Sequence, residues 1–179
     1  MTEYIETKRL ILRNWKDEDV AKFQSMNANP EVRRYFPDIL SYSATKNIID
    51  QMKAIINQHE IGLFAVELKE TKSFIGMVGL NYIPEDSELT FPELPFYEIG
   101  WRIDKDVWGN GLATEAAEAV LTYAKEKGIN EVYSFTSEIN KPSRRVMEKL
   151  EMEHIRNFLH PKVIHDEHLA AHVLYHKVL

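Results

Sequence analysis

The sequence predicts a mixed α/β fold: a mostly antiparallel sheet with one parallel strand pair and helices on both faces. Three observations predict it. Apolar residues fall alternately into strand-like runs and helix-spaced runs along the whole chain. Residues 62–68 and 74–83 are joined by a polar turn at 69–73, the pattern of an antiparallel hairpin. Residues 96–104 and 130–137 instead enclose a helix-patterned segment, which makes them a parallel βαβ unit.

Each element has its own justification. Residues 9–13 (RLILR) are a short apolar run flanked by charge and read as the first strand. Asp17, Glu18 and Asp19 open a helix bearing Val20, Phe23 and Met26, with acids at the positive end of the macrodipole. Asn29-Pro30 signals a turn, and residues 31–36 read as a short helix ended by Pro37. From 43 to 58, Ile48, Ile49, Met52, Ile55 and Ile56 recur at helical spacing. Residues 84–95 hold three prolines amid acids and read as a surface loop. After a glycine-containing loop at 105–111, Ala113, Ala116, Ala117, Val120, Leu121 and Ala124 mark one helix face, which stops at Gly128. Pro142 sits where a first helical turn tolerates proline, and Val146 and Leu150 turn that helix to the core. Residues 152–159 and 172–179 read as the last strands, with a polar connection at 160–171.

Composition narrows the class. A chain of 179 residues without linker composition reads as one domain, 1–179. Its 22 Lys+Arg against 28 Asp+Glu give a net charge of −6, which argues against a nucleic-acid footprint and leaves room for a cationic partner. The absence of Cys excludes disulfides, thiolate metal sites and a cysteine nucleophile. No apolar run approaches the ~20 residues of a membrane span, and MTEYIETKRL lacks a secretory apolar core, so a cytoplasmic location is expected.

The most informative segment is Trp108-Gly109-Asn110-Gly111-Leu112-Ala113-Thr114-Glu115, between a strand and a helix. Glycines there allow a tight turn and leave the backbone amides open to a ligand. The first-turn N–H groups of the helix face the same space, a natural anion pocket. A turn with capping glycines and no ligand stands beside that reading. A P-loop is excluded because no Lys-Ser/Thr follows the second glycine. A dinucleotide fingerprint is half matched, its third glycine falling at Thr114.

Gly109-Asn110-Gly111-Leu112-Ala113 resembles the pyrophosphate loop of the GNAT superfamily of acetyl-CoA-dependent N-acetyltransferases. Glu98-Ile99-Gly100-Trp101, the run from Trp108 to Ala116, and Asn140-Lys-Pro-Ser143…Glu148-Lys149-Leu150 are similar to its RimJ/RimL-type branch, the ribosomal-protein N-terminal acetyltransferases. Thr7 to Arg13 and Phe74-Ile75-Gly76 resemble that branch's opening strand and hairpin. The resemblance implies a GNAT-like sheet with a splayed parallel pair. It implies that the amides of Asn110, Gly111, Leu112, Ala113 and Thr114 cradle the CoA pyrophosphate, that Trp108 and Gly109 also bind the cofactor, and that Ile99, Trp101 and Ile103 pair with the pantetheine arm. Asn140 would bind that arm or order the nearby backbone. Arg145 would reach the 3′-phosphate, a solvated helix face being the alternative. The implied partners are acetyl-CoA and an amine, small molecule or protein N-terminus, on a monomer or homodimer. A non-catalytic acyl-CoA-binding domain of the same fold is the alternative function.

Acetyl transfer to an amine needs a base, an oxyanion donor and a proton for the leaving thiolate. Glu98 is the candidate base; a structural carboxylate is the competing reading. Ser143, three after Asn140, is the candidate proton donor by resemblance; an ordinary first-turn hydroxyl competes. The superfamily's Tyr is replaced by Met147, and Glu151 stands where the branch carries a glycine. Without Cys, direct attack in a ternary complex is expected rather than an acetyl-cysteine route. Six of the seven His lie between His154 and His176, yet Leu169 stands where a zinc hydrolase needs its Glu, so no metal is expected. Phe36 and His160 are candidate walls of an acceptor cleft.

Overall fold

The computed structural model describes residues 2–179. Eight strands form one sheet: β1 (Glu3–Glu6), β2 (Leu10–Arg13), β3 (Leu63–Leu68), β4 (Ser73–Ile83), β5 (Phe96–Ile103), β6 (Glu131–Ser137), β7 (Glu153–Leu159) and β8 (Ala171–Val178). Four α-helices accompany them: α1 (Asp19–Ala28), α2 (Tyr42–His59), α3 (Leu112–Glu126) and α4 (Lys141–Lys149). The strand order is β1-β2-β3-β4-β5-β6-β8-β7, and among the described residues only β5 and β6 run parallel. The expected mixed sheet with its single βαβ unit is therefore the fold.

Two expectations need correction. Residues 31–36 form consecutive turns, not a helix. Arg33 N–H reaches the Asn29 carbonyl, Phe36 N–H the Arg33 carbonyl and Leu40 N–H the Asn27 carbonyl, folding the segment back on the end of α1. The other is β1, which the sequence reading passed over. Its polar run EYIE buries only Ile5 and becomes a strand by pairing with β2.

Directly opposed residues of paired strands share a face, which sorts the helices. Ile99, Trp101 and Ile103 oppose Leu80, Val78 and Gly76. Val78 in turn opposes Phe64, whose ring meets Tyr123 of α3 edge-on at 6.0 Å. Glu98, Gly100 and Arg102 face the other way, where Arg102 donates to Asn27 of α1 at 2.9 Å. So α1 lies on one face of the sheet and α3 on the other.

The α1 face is anchored by a buried fork. Arg13 donates to both oxygens of Asp19, at 2.7 and 3.0 Å, and to Glu67 at 2.8 Å. Removing one partner would strand the others uncompensated in the interior, which makes such a fork costly to break. On the α3 face, Val120, Ala116, Ala117 and Ala124 are fully buried, their small side chains letting the helix lie close to the strands.

At Glu151, where the chain leaves α4, φ is +59°, the left-handed region. A glycine takes that conformation without the Cβ clash, which costs other residues about 1–2 kcal/mol. Glu151 is exposed, its nearest cation being Lys177 at 3.7 Å, a pair worth little at the surface. Glu151→Gly is expected to stabilise the fold by about 0.5–1 kcal/mol, the relieved strain less the added unfolded-state entropy. Denaturant unfolding checks it, and a lower midpoint would count against strain at this position.

Candidate active site

The parallel pair sets the site. β5 and β6 share a single register pair, Glu98 opposite Tyr133, after which the strands separate toward their C-terminal ends. Ser134 Oγ, buried, donates to the Ile99 carbonyl at 2.9 Å. The Ile99 main chain therefore points at β6, and alternation turns the main-chain groups of Trp101 and Ile103 into the widening gap as well. Below the gap, Ile103 O accepts from Trp108 Nε1 at 2.8 Å, which fixes an indole that is itself 48% exposed.

The glycine loop closes the gap's open end. Asp104 caps a short 3-10 turn, Lys105–Val107, through its side chain. Gly109 and Gly111 then take φ of +79° and +75°, conformations that require glycine. Asn110 folds its side chain back on the carbonyls of Val107 and Trp108, at 2.9 and 3.2 Å. Gly111 is the N-cap of α3, and no side chain caps the helix. Leu112 is buried beneath the first turn, while Ala113 and Thr114 are half-buried at the rim. A Cβ on Gly109 would meet nothing within 4 Å. An uncapped helix end with open space before it suits an anion.

Glu115, one turn in, ties this helix end to the distant start of the chain. Its carboxylate accepts from Thr7 Oγ1 at 2.7 Å, Arg9 N–H at 3.0 Å and Arg9 Nε at 2.7 Å. Burial opposes ionisation, but these donors and the Arg9 charge prevail and hold its pKa below the usual carboxylate range. The sequence reading gave Glu115 no role; its partners lie over a hundred residues away, beyond any spacing rule.

On the opposite lip, Asn140 caps α4 by accepting from Ser143 N–H at 3.2 Å, and its amide donates to Thr136 Oγ1 at 2.9 Å. That buried amide thus commits its oxygen to the first turn of α4 and its N–H₂ to the Thr136 hydroxyl of β6. Ser143 Oγ accepts from Trp101 Nε1 at 3.3 Å, so the side chain of β5 and the first turn of α4 meet across the gap. Arg145 is exposed on α4.

Glu98 lies on the other face of β5, opposite Asn81 of β4. Desolvation pushes its pKa up to about 8, against a lowering hydrogen bond from Asn81 and the charge of Lys162. Lys162 belongs to the connection between β7 and β8. That connection meets the segment after α1 around an open depression of about 480 Å³ lined by Pro37, Lys162, Val163, His165, Asp166 and Glu167. His160 caps a short turn there by accepting from Lys162 N–H at 3.1 Å. Its ring lies 4.9 Å from that of His172 and 5.9 Å from that of Phe135. Burial pushes the His172 pKa down to about 4, with the neighbouring His160 adding to it, and lowers that of His160 as well. Phe36 lies apart from these rings, its ring in contact with two guanidinium groups, Arg33 at 4.4 Å and Arg102 at 4.8 Å from the centroid. Among the described residues no group of three or more His, Cys, Asp or Glu is arranged to hold a metal ion. His176 pairs instead with Glu131 at 2.7 Å.

A family model for the acetyltransferase (GNAT) domain matches residues 9–153. The chain belongs to the GNAT acetyltransferase family. It is 29% identical over 154 residues to an uncharacterized N-acetyltransferase of Bacillus subtilis, YnaD, covering 83% of this chain and 82% of that one. A GNAT-family acetyltransferase from Bacillus anthracis has the same fold, with a TM-score of 0.81 and 24% identity over 99% of this chain and 98% of that one. The ribosomal L7/L12 α-N-protein acetyltransferase RimL, solved with coenzyme A, superposes with a TM-score of 0.79 at 12% identity, covering 99% and 98% of the two chains. This GNAT chain is thus an acetyl-CoA-dependent acetyltransferase with a RimL-like fold. No described helix is long and apolar enough to cross a membrane.

Proposed function

We propose that this GNAT domain, spanning 1–179, moves an acetyl group from acetyl-CoA to a primary amine by direct attack, with both substrates bound together. The observation that carries the proposal is the β5–β6 gap, which runs from an uncapped glycine loop to a carboxyl group of raised pKa. Acetyl-CoA supplies the activated acyl group. The amides of the loop from Asn110 to Thr114 hold its pyrophosphate. The main-chain groups of Ile99, Trp101 and Ile103 pair with its pantetheine arm, and one of their N–H groups receives the charge that develops on the attacked carbonyl. Trp108 walls the entrance. Arg145, free on the surface of α4, is within the reach of a long side chain for the 3′-phosphate. Glu98 takes the proton from the amine, directly or through a water. Without a cysteine the acyl group has no thiol to rest on, which supports direct transfer.

Ser143 relays a proton to the departing thiolate, its hydroxyl taking one back from solvent water in the same step. Its hydroxyl proton is uncommitted, since its oxygen accepts from Trp101. A thiolate is already a good leaving group, so Ser143→Ala is expected to lower kcat about 10-fold, below the general range for acid–base catalysis, with CoA affinity unchanged. Unchanged kcat would reduce Ser143 to a capping residue.

Turnover is tested with purified protein, acetyl-CoA and a broad panel of primary amines, following free thiol. Acetylation of at least one amine with sequential kinetics is the expected result. Tight CoA binding without transfer to any amine would make the chain an acyl-CoA-binding domain instead.

A further inference from the structure

The α1 face of β5 holds a pair of cations with no anion to match. Arg33 is buried, and its Nε donates to the Asp38 carbonyl at 2.7 Å. Arg102 donates through Nη1 to Asn27 Oδ1, and its Nε is buried with no hydrogen-bond partner. Both guanidinium groups sit on the single ring of Phe36. Among the described residues, neither has a carboxylate within 4.0 Å; Asp38 acts on Arg33 only at longer range. Every other arginine engaged with an acid here is satisfied by it: Arg9 by Glu115, Arg13 by Asp19 and Glu67, Arg156 by Glu93. Two neighbouring cations, Arg33 buried and Arg102 half-buried, without a counter-charge are unfavourable in an empty protein and favourable with an oxyanion bound to them.

The strand between this pair and the candidate base is open. Glu98, Gly100 and Arg102 share one face, and a Cβ built on Gly100 would meet nothing within 4 Å. Gly100 is two positions from each end, so the Cα positions of Glu98 and Arg102 lie about 13 Å apart along the strand. The result is a groove with a carboxyl group at one end, a glycine floor and two guanidinium groups at the other.

We infer that the amine acceptor carries an oxyanion, a carboxylate or a phosphate, several bonds away from its amine, and that Arg33 and Arg102 bind it while the amine reaches Glu98. This rests on the acetyl-transfer reading above. It also reverses the expectation drawn from net charge: the acceptor is anionic at its far end. Planar bidentate donors suit both oxyanions. Phe36 contacts both guanidinium groups, which explains a partly exposed aromatic side chain in a segment of turns.

The test uses the whole chain loaded with CoA and ligands of one length. 5-Aminopentanoate and 3-aminopropyl phosphate are compared by calorimetry with 5-aminopentanamide, 5-aminopentanol and 1,5-diaminopentane. The expected result is at least tenfold tighter binding of one or both oxyanion amines, and the two arms separate carboxylate from phosphate. Arg33→Gln is expected to erase that preference while leaving the affinity for the amide unchanged. With acetyl-CoA the same change appears as a raised KM with little change in kcat. Arg102→Gln should act alike. Should it fail to fold, Gly100→Leu fills the groove and weakens every acceptor while CoA affinity is retained. Equal binding of acid and amide, tightest binding of the diamine, or no binding of any of the five overturns the inference. Loss of CoA affinity in Arg33→Gln would assign the pair to the cofactor's phosphates and also overturn it. Preferential oxyanion binding without acetyl transfer would leave this inference standing and remove the catalytic one.

Discussion

Gly111→Trp is expected to reduce CoA affinity at least a hundredfold, measured by calorimetry, in a protein that still folds. The loss follows from position. Gly111 caps α3 with no side chain over the first-turn amides, and φ there is +75°. An indole at this point covers the donors that an anion would use. Inside the protein it meets little: the nearest atom to a Cβ at Gly111 is Arg9 Nη2, at 3.8 Å. The fold pays only for placing an L-residue in the left-handed region, about 1–2 kcal/mol. For a chain of this size that lowers Tm by roughly 2–8 °C. Gly111→Ala carries the same backbone cost without the bulk, so it separates strain from blockage. Affinity within threefold of wild type in the Trp variant would remove the loop from the CoA site.

The parts of this architecture set by local rules could be read from the chain. The alternation of Phe96 to Ile103, the alanine stripe of α3 and the proline in the first turn of α4 each carry their own geometry, and their order makes the βαβ unit unavoidable. The glycine loop was legible for the same reason: positive φ at Gly109 and Gly111 is a property of those residues before it is one of the fold. What escaped was set by distant partners. The segment 31–36 has helix-compatible residues, but its carbonyls and amides close turns on the end of α1, drawn there by the buried Arg33. β1 is polar and short, and exists because β2 offers it an edge. Asn140 stands at the mouth of α4, and its cap on Ser143 N–H follows from local spacing, whereas its bond to the Thr136 hydroxyl depends on where β6 ends. The sequence assigns Arg102 no role of its own. Its significance comes from Arg33, Phe36 and Asn27 meeting it from the α1 side, and no spacing along the sequence encodes that meeting.

Glu98→Gln tests the base, with kcat expected to fall 10²–10⁴-fold at neutral pH while the CoA dissociation constant stays within about twofold. A hundredfold loss corresponds to about 2.7 kcal/mol of barrier. The pH profile sharpens the claim. Burial holds the Glu98 carboxyl at about 8, with Asn81 and Lys162 pulling downward. Below that value most molecules carry the neutral acid, which cannot accept a proton. Wild-type kcat/KM is therefore expected to climb about tenfold per pH unit up to about 7 and to level above 8, whereas the glutamine variant lacks that rise. Removing the opposing cation with Lys162→Met should move the wild-type limb to higher pH. Stability must change in the opposite sense. A carboxyl whose folded pKa exceeds its unfolded value, about 4.3, favours the folded state only while protonated. Its contribution is full below the unfolded value and lost as pH rises through the folded one. Glu98→Gln removes that loss, so the variant should unfold at a higher temperature than wild type at pH 8 and show a smaller advantage at pH 4. Slower turnover joined to greater stability at the same pH identifies a carboxyl group kept out of water for the sake of proton transfer. Rates within twofold at saturating substrate, or a rate profile unmoved by Lys162→Met, would leave the proton to a water chain and make Glu98 a structural acid.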